Sequence, residues 1–354
     1  MPGSKVDEMA RSSLKESKIV RPAYRTVIIV FAAIFSSQVI FAKQNNHEIV
    51  LLKSMPQEIL EKIAQKGLPD ENGMVGENRK GWLHPRFQGA ATFCLIFAAL
   101  EKREKQALAA WQAIESVFEL QTDQGNFQSG SFQGKEPTRI DDLSGVSFWL
   151  ADLCHALLVV RESELAPVLE EKIAILLPKI KKTAYWLVQG ENELKRYDAQ
   201  SANRLFYDSD AFAFSGLLLN DQNLMERGKE FLESALKLQS KEGVFQEYEG
   251  FDSSYQAVSL VRLQLYAIYF PEERLDQAIE QGLQWELGRI KENGEVRVSG
   301  NARTGLGQEQ FLGRPKETSY EQVVLALLYY GARTNNHKAI ATAEQVYKFA
   351  TKNK

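Results

Sequence analysis

Glu115-Ser116-Val117-Phe118-Glu119-Leu120-Gln121-Thr122-Asp123-Gln124-Gly125-Asn126-Phe127 returns 118 positions later as Glu233-Ser234-Ala235-Leu236-Lys237-Leu238-Gln239-Ser240-Lys241-Glu242-Gly243-Val244-Phe245. Glu, Ser, Leu, Gln, Gly and Phe fall at the same places in both copies. Each copy ends an apolar, helix-period run with a polar turn at a glycine. Weaker versions occur at Trp186 to Gly190 and Trp285 to Gly294, so Gly125, Gly190, Gly243 and Gly294 lie 65, 53 and 51 residues apart. A period of that size equals two helices and a loop, and predicts helical hairpins stacked side by side.

Working outward, helix-period runs are expected at 55–66, 86–102, 105–121, 143–160, 164–188, 201–219, 221–238, 253–269, 272–290, 318–333 and 336–351. Strand signals are few; Val296 to Val298 reads as a short strand. The runs beginning near 86, 143, 201, 253 and 318 are apolar almost all round, which marks buried helices. Those near 105, 164, 221, 272 and 336 carry Lys, Glu and Gln on one face and form an outer layer. Alternating inner and outer helices predict an all-α fold, an incomplete or closed (α/α)5-6 toroid of repeated helical hairpins. Links within a pair are short, as at Asn220-Asp221 and Phe270-Pro271. Links between pairs are expected to be long (122–142, 189–200, 239–252 and 291–317), and all fall on the rim where inner helices begin. Functional residues gather on such loops, and the helix amino ends gathered there favour anions. Ser144 or Asp142, Ser201, Asp252 or Ser253, and Thr318 are the expected N-caps.

Residues 1–42 read as an export signal or membrane anchor, and 43–354 as a single toroid domain. Lys15, Lys18, Arg21 and Arg25 precede the mostly apolar stretch 27–42, which is short for a spanning helix. A periplasmic or secreted protein is expected, with anchoring through 27–42 as the variant. Of 43 Lys and Arg and 46 Asp and Glu, the first 42 residues hold six and three, leaving 37 basic and 43 acidic, a net charge of −6. That balance argues against nucleic acid as a partner; an anionic ligand would need a local cluster of Arg and Lys. Cys94 and Cys154 sit in apolar runs and read as buried thiols, with an inter-hairpin disulfide left open. No Cys/His metal spacing is present, and neither a metal nor another cofactor is expected.

Two inner helices carry the chemistry. One opens Ser201-Ala202-Asn203-Arg204-Leu205-Phe206-Tyr207-Asp208-Ser209-Asp210, where Asn203, Tyr207 and Asp210 share a face and Arg204 and Asp208 have ion-pair spacing. The other places Tyr255, Ser259, Arg262 and Tyr266 on one face. A polar stripe on a buried helix needs internal partners or a water-filled cavity. Trp82, His84 and Arg86 open a further inner helix and reach the same rim. His155, three residues after Asp152, reads as half of a core pair with it.

This order of parts resembles the α/α-toroid polysaccharide lyases, above all the alginate lyases, and more loosely the toroid domain of heparinase-type lyases. In alginate lyases an Asn-Asn-His motif opens an inner helix; here Ala202-Asn203-Arg204-Leu205-Phe206-Tyr207 takes that place, with Arg204 where the family has His. A Tyr-His pair opens the family's next inner helix; here it is Tyr255-Gln256. The resemblance covers residues 185–270. It implies an anionic polysaccharide or oligosaccharide as partner, cleaved by β-elimination beside a uronate carboxylate. Asn203 and Arg204 would neutralise that carboxylate. Tyr255 would serve as base and then acid, with Arg262 as the cation favouring its ionised form. Arg262, Tyr207, Asp210, Trp82, His84, Arg86, Lys195, Arg196, Glu247 and Arg314 would bind substrate, with Arg139 and Arg303 also lining the cleft. Two alternatives stay open: a glycoside hydrolase using carboxylates among Asp208, Asp210, Glu247, Glu249 and Asp252, and a non-catalytic polysaccharide-binding or assembly protein.

Overall fold

The turn that ends each echo also builds the fold. In the computed structural model, which describes residues 47–79, 83–130, 137–305, 308–311 and 313–352, Gln121 bridges Phe127, Gln239 bridges Phe245 and Ile290 bridges Val296. Gly125 and Gly243 stand at φ 105° and 90°, where other residues are strained. A Cβ on Gly125 would lie 2.5 Å from the Lys182 carbonyl oxygen, and one on Gly243 2.3 Å from that of Gln281. Each turn is therefore pressed against the next outer helix. The Gln121 amide locks this docking by donating to the Lys179 carbonyl (2.9 Å), as Gln239 does to that of Ala278 (2.8 Å).

Residues 46–354 form one compact unit. In chain order its helices are α1 (His47–Ser54), α2 (Gln57–Gln65), α3 (Pro85–Gln88), α4 (Ala90–Leu100), α5 (Glu104–Glu119), α6 (Arg139–Arg161), α7 (Ala166–Tyr197), α8 (Ala202–Leu219), α9 (Gln222–Leu236), α10 (Ser253–Tyr269), α11 (Glu273–Arg289), α12 (Tyr320–Thr334) and α13 (His337–Lys352). Helices α4, α6, α8, α10 and α12 pack in succession as an inner ring, and α1 touches both α12 and α4, which closes it. The architecture is an α/α toroid of hairpins, as the repeats predict, and the ring is closed by α1. The core is continuous around the ring, with Trp111, Trp149, Tyr329, Phe206, Phe212 and Phe231 almost fully buried. Inner and outer helices approach closely where side chains are small. A Cβ on Gly228 of α9 would lie 2.7 Å from Ala213 of α8, and the Ser209 hydroxyl donates to the Gly228 carbonyl at 2.9 Å. Helix α6 is long and apolar enough to cross a bilayer, yet 89% of that window is buried in the ring.

Several expectations are corrected. Gly190 is not a turn: α7 runs on through it to Tyr197, with Gly190 packed on Leu143, so the expected long loop 189–200 shrinks to 198–201. Helix α6 starts earlier than expected, because Thr138 and Asp141 form a reciprocal capping box. Val296 forms only an isolated bridge; the one described sheet pairs β1 (Gln310–Phe311) with β2 (Arg314–Pro315) in the loop before α12. Both cysteines are buried free thiols. The segment 27–42, expected to direct export or anchoring, lies outside the described residues.

Candidate functional site

The amino ends of the inner helices converge on a cationic mouth. Arg86 is set by α3, whose first residue, Pro85, fixes the chain's entry. Its guanidinium lies over the Phe148 ring at 4.7 Å. Arg204, in the first turn of α8, donates to the Ser144 hydroxyl (2.9 Å) and pairs with Asp198 (3.2 Å). Arg303 comes from the long loop before α12. It pairs with Glu247 and Glu309, both at 2.9 Å, and stacks over the rings of Tyr255 (4.1 Å) and Tyr248 (4.9 Å). Lys316 pairs with Glu309 at 2.7 Å and lies 5.0 Å from the Tyr255 ring centroid. Four cations therefore share three carboxylates, Asp198, Glu247 and Glu309, and among the described residues Arg86 has no ion pair. Burial, with Arg204 and then Arg303 nearby, pushes its guanidinium below the usual range. Its side chain nevertheless keeps open surface, so it faces solvent within a concavity.

Tyr248 holds φ 53°, a left-handed backbone uncommon for an aromatic residue, and its N–H donates to the Gln200 carbonyl at 2.6 Å. Such strain costs ~1–3 kcal/mol and persists where surrounding structure enforces it. Here it brings the ring beside Arg303.

Below the mouth lies a cavity of about 240 Å³ lined by Gly89, Ala90, Phe93, Asp152, His155, Tyr207, Arg262, Gln322 and Tyr329 among others. Arg262 crosses its wall, donating to Asp152 at 2.8 Å, lying 3.5 Å from Asp210, and covering Tyr207 at 4.6 Å. Tyr207 stacks on Phe148 at 4.1 Å, which joins the lower cavity to the mouth. Burial raises the carboxyls of Asp152 and Asp210, that of Asp210 well above the usual range, and Arg262 opposes both shifts.

The floor is different chemistry. Glu48 of α1 is fully buried. It meets His155 Nε2 at 2.8 Å and accepts from the Tyr269 and Tyr329 hydroxyls, each at 2.8 Å. Burial alone would raise this carboxyl, but His155 and the two hydroxyls hold it below its usual range.

The expected site residues separate accordingly. Arg86, Arg204, Tyr207, Tyr255 and Arg262 come together, and Arg303 joins them. Arg204 does not pair with Asp208: it turns to Asp198, while Asp208 accepts from Ser147 (2.5 Å). Burial, then Asp198, raise the Asp208 carboxyl well above its usual range. Arg262 does not act on Tyr255, because Asp152 and Asp210 draw it to Tyr207; Arg303 and Lys316 flank Tyr255 instead. Asn203 and Glu247 are buried, not open to ligand: Glu247 accepts from the Asn203 backbone N–H (3.2 Å) and Arg303, and the Ser201 hydroxyl lies 2.8 Å from Asn203 Oδ1. Asp210 is buried behind Arg262. Of the polar stripe on α10, Ser259 and Tyr266 are buried.

His84 is buried, with a Cβ on Gly145 only 2.5 Å from its ring, and burial pushes its imidazole down to about 4. It is a packing residue between α3 and α6. Trp82 lies outside the described residues. Lys195 pairs with Glu191 and Glu230, both at 2.7 Å, on the outer layer, and exposed Arg196 is on the same helix, α7. Arg139 pairs with Glu193 at 2.8 Å, and exposed Arg314 lies 3.5 Å from Glu77, so neither enters the mouth. His155 pairs with Glu48, not Asp152. Asp152 and Lys316 are additions; an acid inside the apolar run Phe148 to Val160 was the available signal for the first. Among the described residues no group of His, Cys, Asp and Glu is arranged to hold a metal.

No family model matches the sequence, and no curated protein matches it. Among solved structures, a crystal structure of D-mannose isomerase is similar, with a TM-score of 0.50 and 11% identity over 84% of this chain and 85% of that one. The shared feature is the fold: this chain is an α/α-toroid protein.

Proposed function

We propose that this toroid is a carbohydrate-active protein that takes an acidic saccharide in its central cavity and cleaves a uronate-containing chain by β-elimination. One observation carries the reading: among the described residues Arg86 has no ion pair, and it sits beside Arg204 and Arg303 at the mouth that also holds Tyr255. A uronate carboxylate at Arg86 would complete the charge balance and be neutralised as the adjacent carbon loses its proton. Tyr255 would take that proton. The C4–oxygen bond then breaks, a C4–C5 double bond forms, and the departing oxygen receives a proton from the same hydroxyl. The test is absorbance of unsaturated uronate while the purified protein is incubated with a panel of acidic polysaccharides. A rise with any of them is expected; a flat trace with folded protein contradicts elimination.

A second reading rests on Asp152, whose raised carboxyl lines the cavity. With a fold similar to that of D-mannose isomerase, it supports sugar isomerisation, in which Asp152 moves a proton between neighbouring carbons. That reaction yields a changed sugar with neither new absorbance nor new chain ends. On the basis of residues 15–42 we also place the protein outside the cytoplasm; recovery of the native chain solely in the cytoplasmic fraction would contradict this.

A further inference from the structure

We infer that the cavity is a blind pocket for the terminal unit of an acidic saccharide, so that the protein works at chain ends and not within chains. The inference rests on the acidic-saccharide reading above and adds the mode of binding.

The geometry comes from the sixth inner position. The described part of helix α1 has eight residues, whereas α4, α6, α8, α10 and α12 have 11, 23, 18, 17 and 15. At ~1.5 Å per residue α1 spans only ~12 Å. Its Glu48 reaches Tyr269, the last residue of α10, so α1 occupies the end of the ring away from the loop rim. Among the described residues no inner helix occupies the rim half of that position, and the cavity lies there. The lining descends from Gly89, Ala90 and Gln322, near the amino ends of α4 and α12, past Asp152 and Arg262, to His155 and Tyr329.

There it stops. His155 and Tyr329 are the side chains held by Glu48, so one buried carboxylate ties α6, α10 and α12 to α1 across the bore. The side toward α2 is bordered by Ile63 and by the partly exposed ion pair of Lys66 with Glu321, which also border a second cavity of about 490 Å³. A polymer cannot thread such a space. Its volume of about 240 Å³ falls below the ~300–1,000 Å³ typical of sites for drug-sized ligands, room for one or two sugar rings. Half-buried Phe93 offers a ring face to a sugar, and Asp152 and Arg262 offer polar groups. The acidic group of that unit would then lie at Arg86, with the rest of the chain leaving past the rim.

The test is calorimetric titration of the purified protein with uronate oligosaccharides from disaccharide to dodecasaccharide. One protein per chain at every length is expected, with a dissociation constant that stays within about threefold, less than 1 kcal/mol. An open groove would instead bind several proteins on the longer chains, with affinity per chain climbing as internal registers multiply. That result overturns the blind pocket and leaves the acidic-saccharide reading intact; failure to bind at any length overturns both. Ala90→Phe supplies a second arm, because Ala90 is exposed and lines the cavity. It should weaken binding at least ~tenfold with an unchanged thermal midpoint, and unchanged binding in a folded Ala90→Phe protein would overturn the proposal.

Discussion

The two ends of the bore hold charge in opposite ways. At the floor a single anion, Glu48, is fully buried and matched by an imidazole and two hydroxyls. At the mouth four cations share three carboxylates, and Arg86 keeps open surface. A buried charge whose partners are all internal belongs to stability, since nothing is left for a ligand to satisfy. A charge without an ion pair in a concavity belongs to recognition, because a ligand can supply the partner that the nearby Asp152 carboxyl does not. The same toroid thus separates closure from binding along its axis.

That contrast can be broken by substitution. Glu48→Ala leaves His155, Tyr269 and Tyr329 without their acceptor and detaches α1, so a loss of ~3–5 kcal/mol in unfolding free energy is expected, read by denaturant titration. A loss below ~1 kcal/mol would show that the floor does not hold the ring closed. Tyr255→Phe should lower turnover at least ~10²-fold with little change in thermal midpoint, within the range for a proton-transfer group. Loss of folding instead would make Tyr255 a packing residue. Arg86→Gln should weaken acidic-saccharide binding at least ~tenfold while stability holds or rises slightly, since it relieves repulsion with Arg204 and Arg303. A drop in stability would mean that its charge is matched inside the protein.

The smallest effect concerns pH. His84 is held neutral, with its imidazole down at about 4 against an ordinary 6.5. The unfolded chain therefore takes up its proton first, and stability present above pH 6.5 is lost as pH falls toward 4, by a few kcal/mol at most. Glu48, held below its ordinary 4.5, acts in the same direction: its contribution is present above that value and declines as pH falls through the lower folded one. Replacing His84 by Asn should flatten the upper part of this acid limb in pH-dependent thermal melts. An unchanged limb would assign the acid sensitivity elsewhere.

What was legible in the chain follows its local signals. The echoed turns at Gly125 and Gly243 fix two hairpin junctions because a left-handed backbone and a close carbonyl demand glycine there. The tight inner-to-outer link at Asn220-Asp221 was equally readable: Asn220 adopts φ 54°, and Asp221 caps α9 by accepting from the Leu224 N–H. Closure of the ring was not readable, because the role of α1 depends on partners 107, 221 and 281 residues away. The site was half legible. Arg204, Tyr207, Tyr255 and Arg262 lie on recognisable helix faces, but their partners are set by the fold. Arg204 had a carboxylate at helix spacing, Asp208, yet the helix that delivers Asp198 offered another. Arg303 and Lys316 reach Tyr255 only because the loop before α12 folds back over the rim.

The most direct measurement compares binding of a uronic acid oligosaccharide with that of its carboxyl-reduced, neutral counterpart, for wild type and Arg86→Gln. The account predicts at least ~tenfold tighter binding of the acidic form and loss of that preference in Arg86→Gln. Equal affinity for the two sugars in the wild-type protein would contradict it.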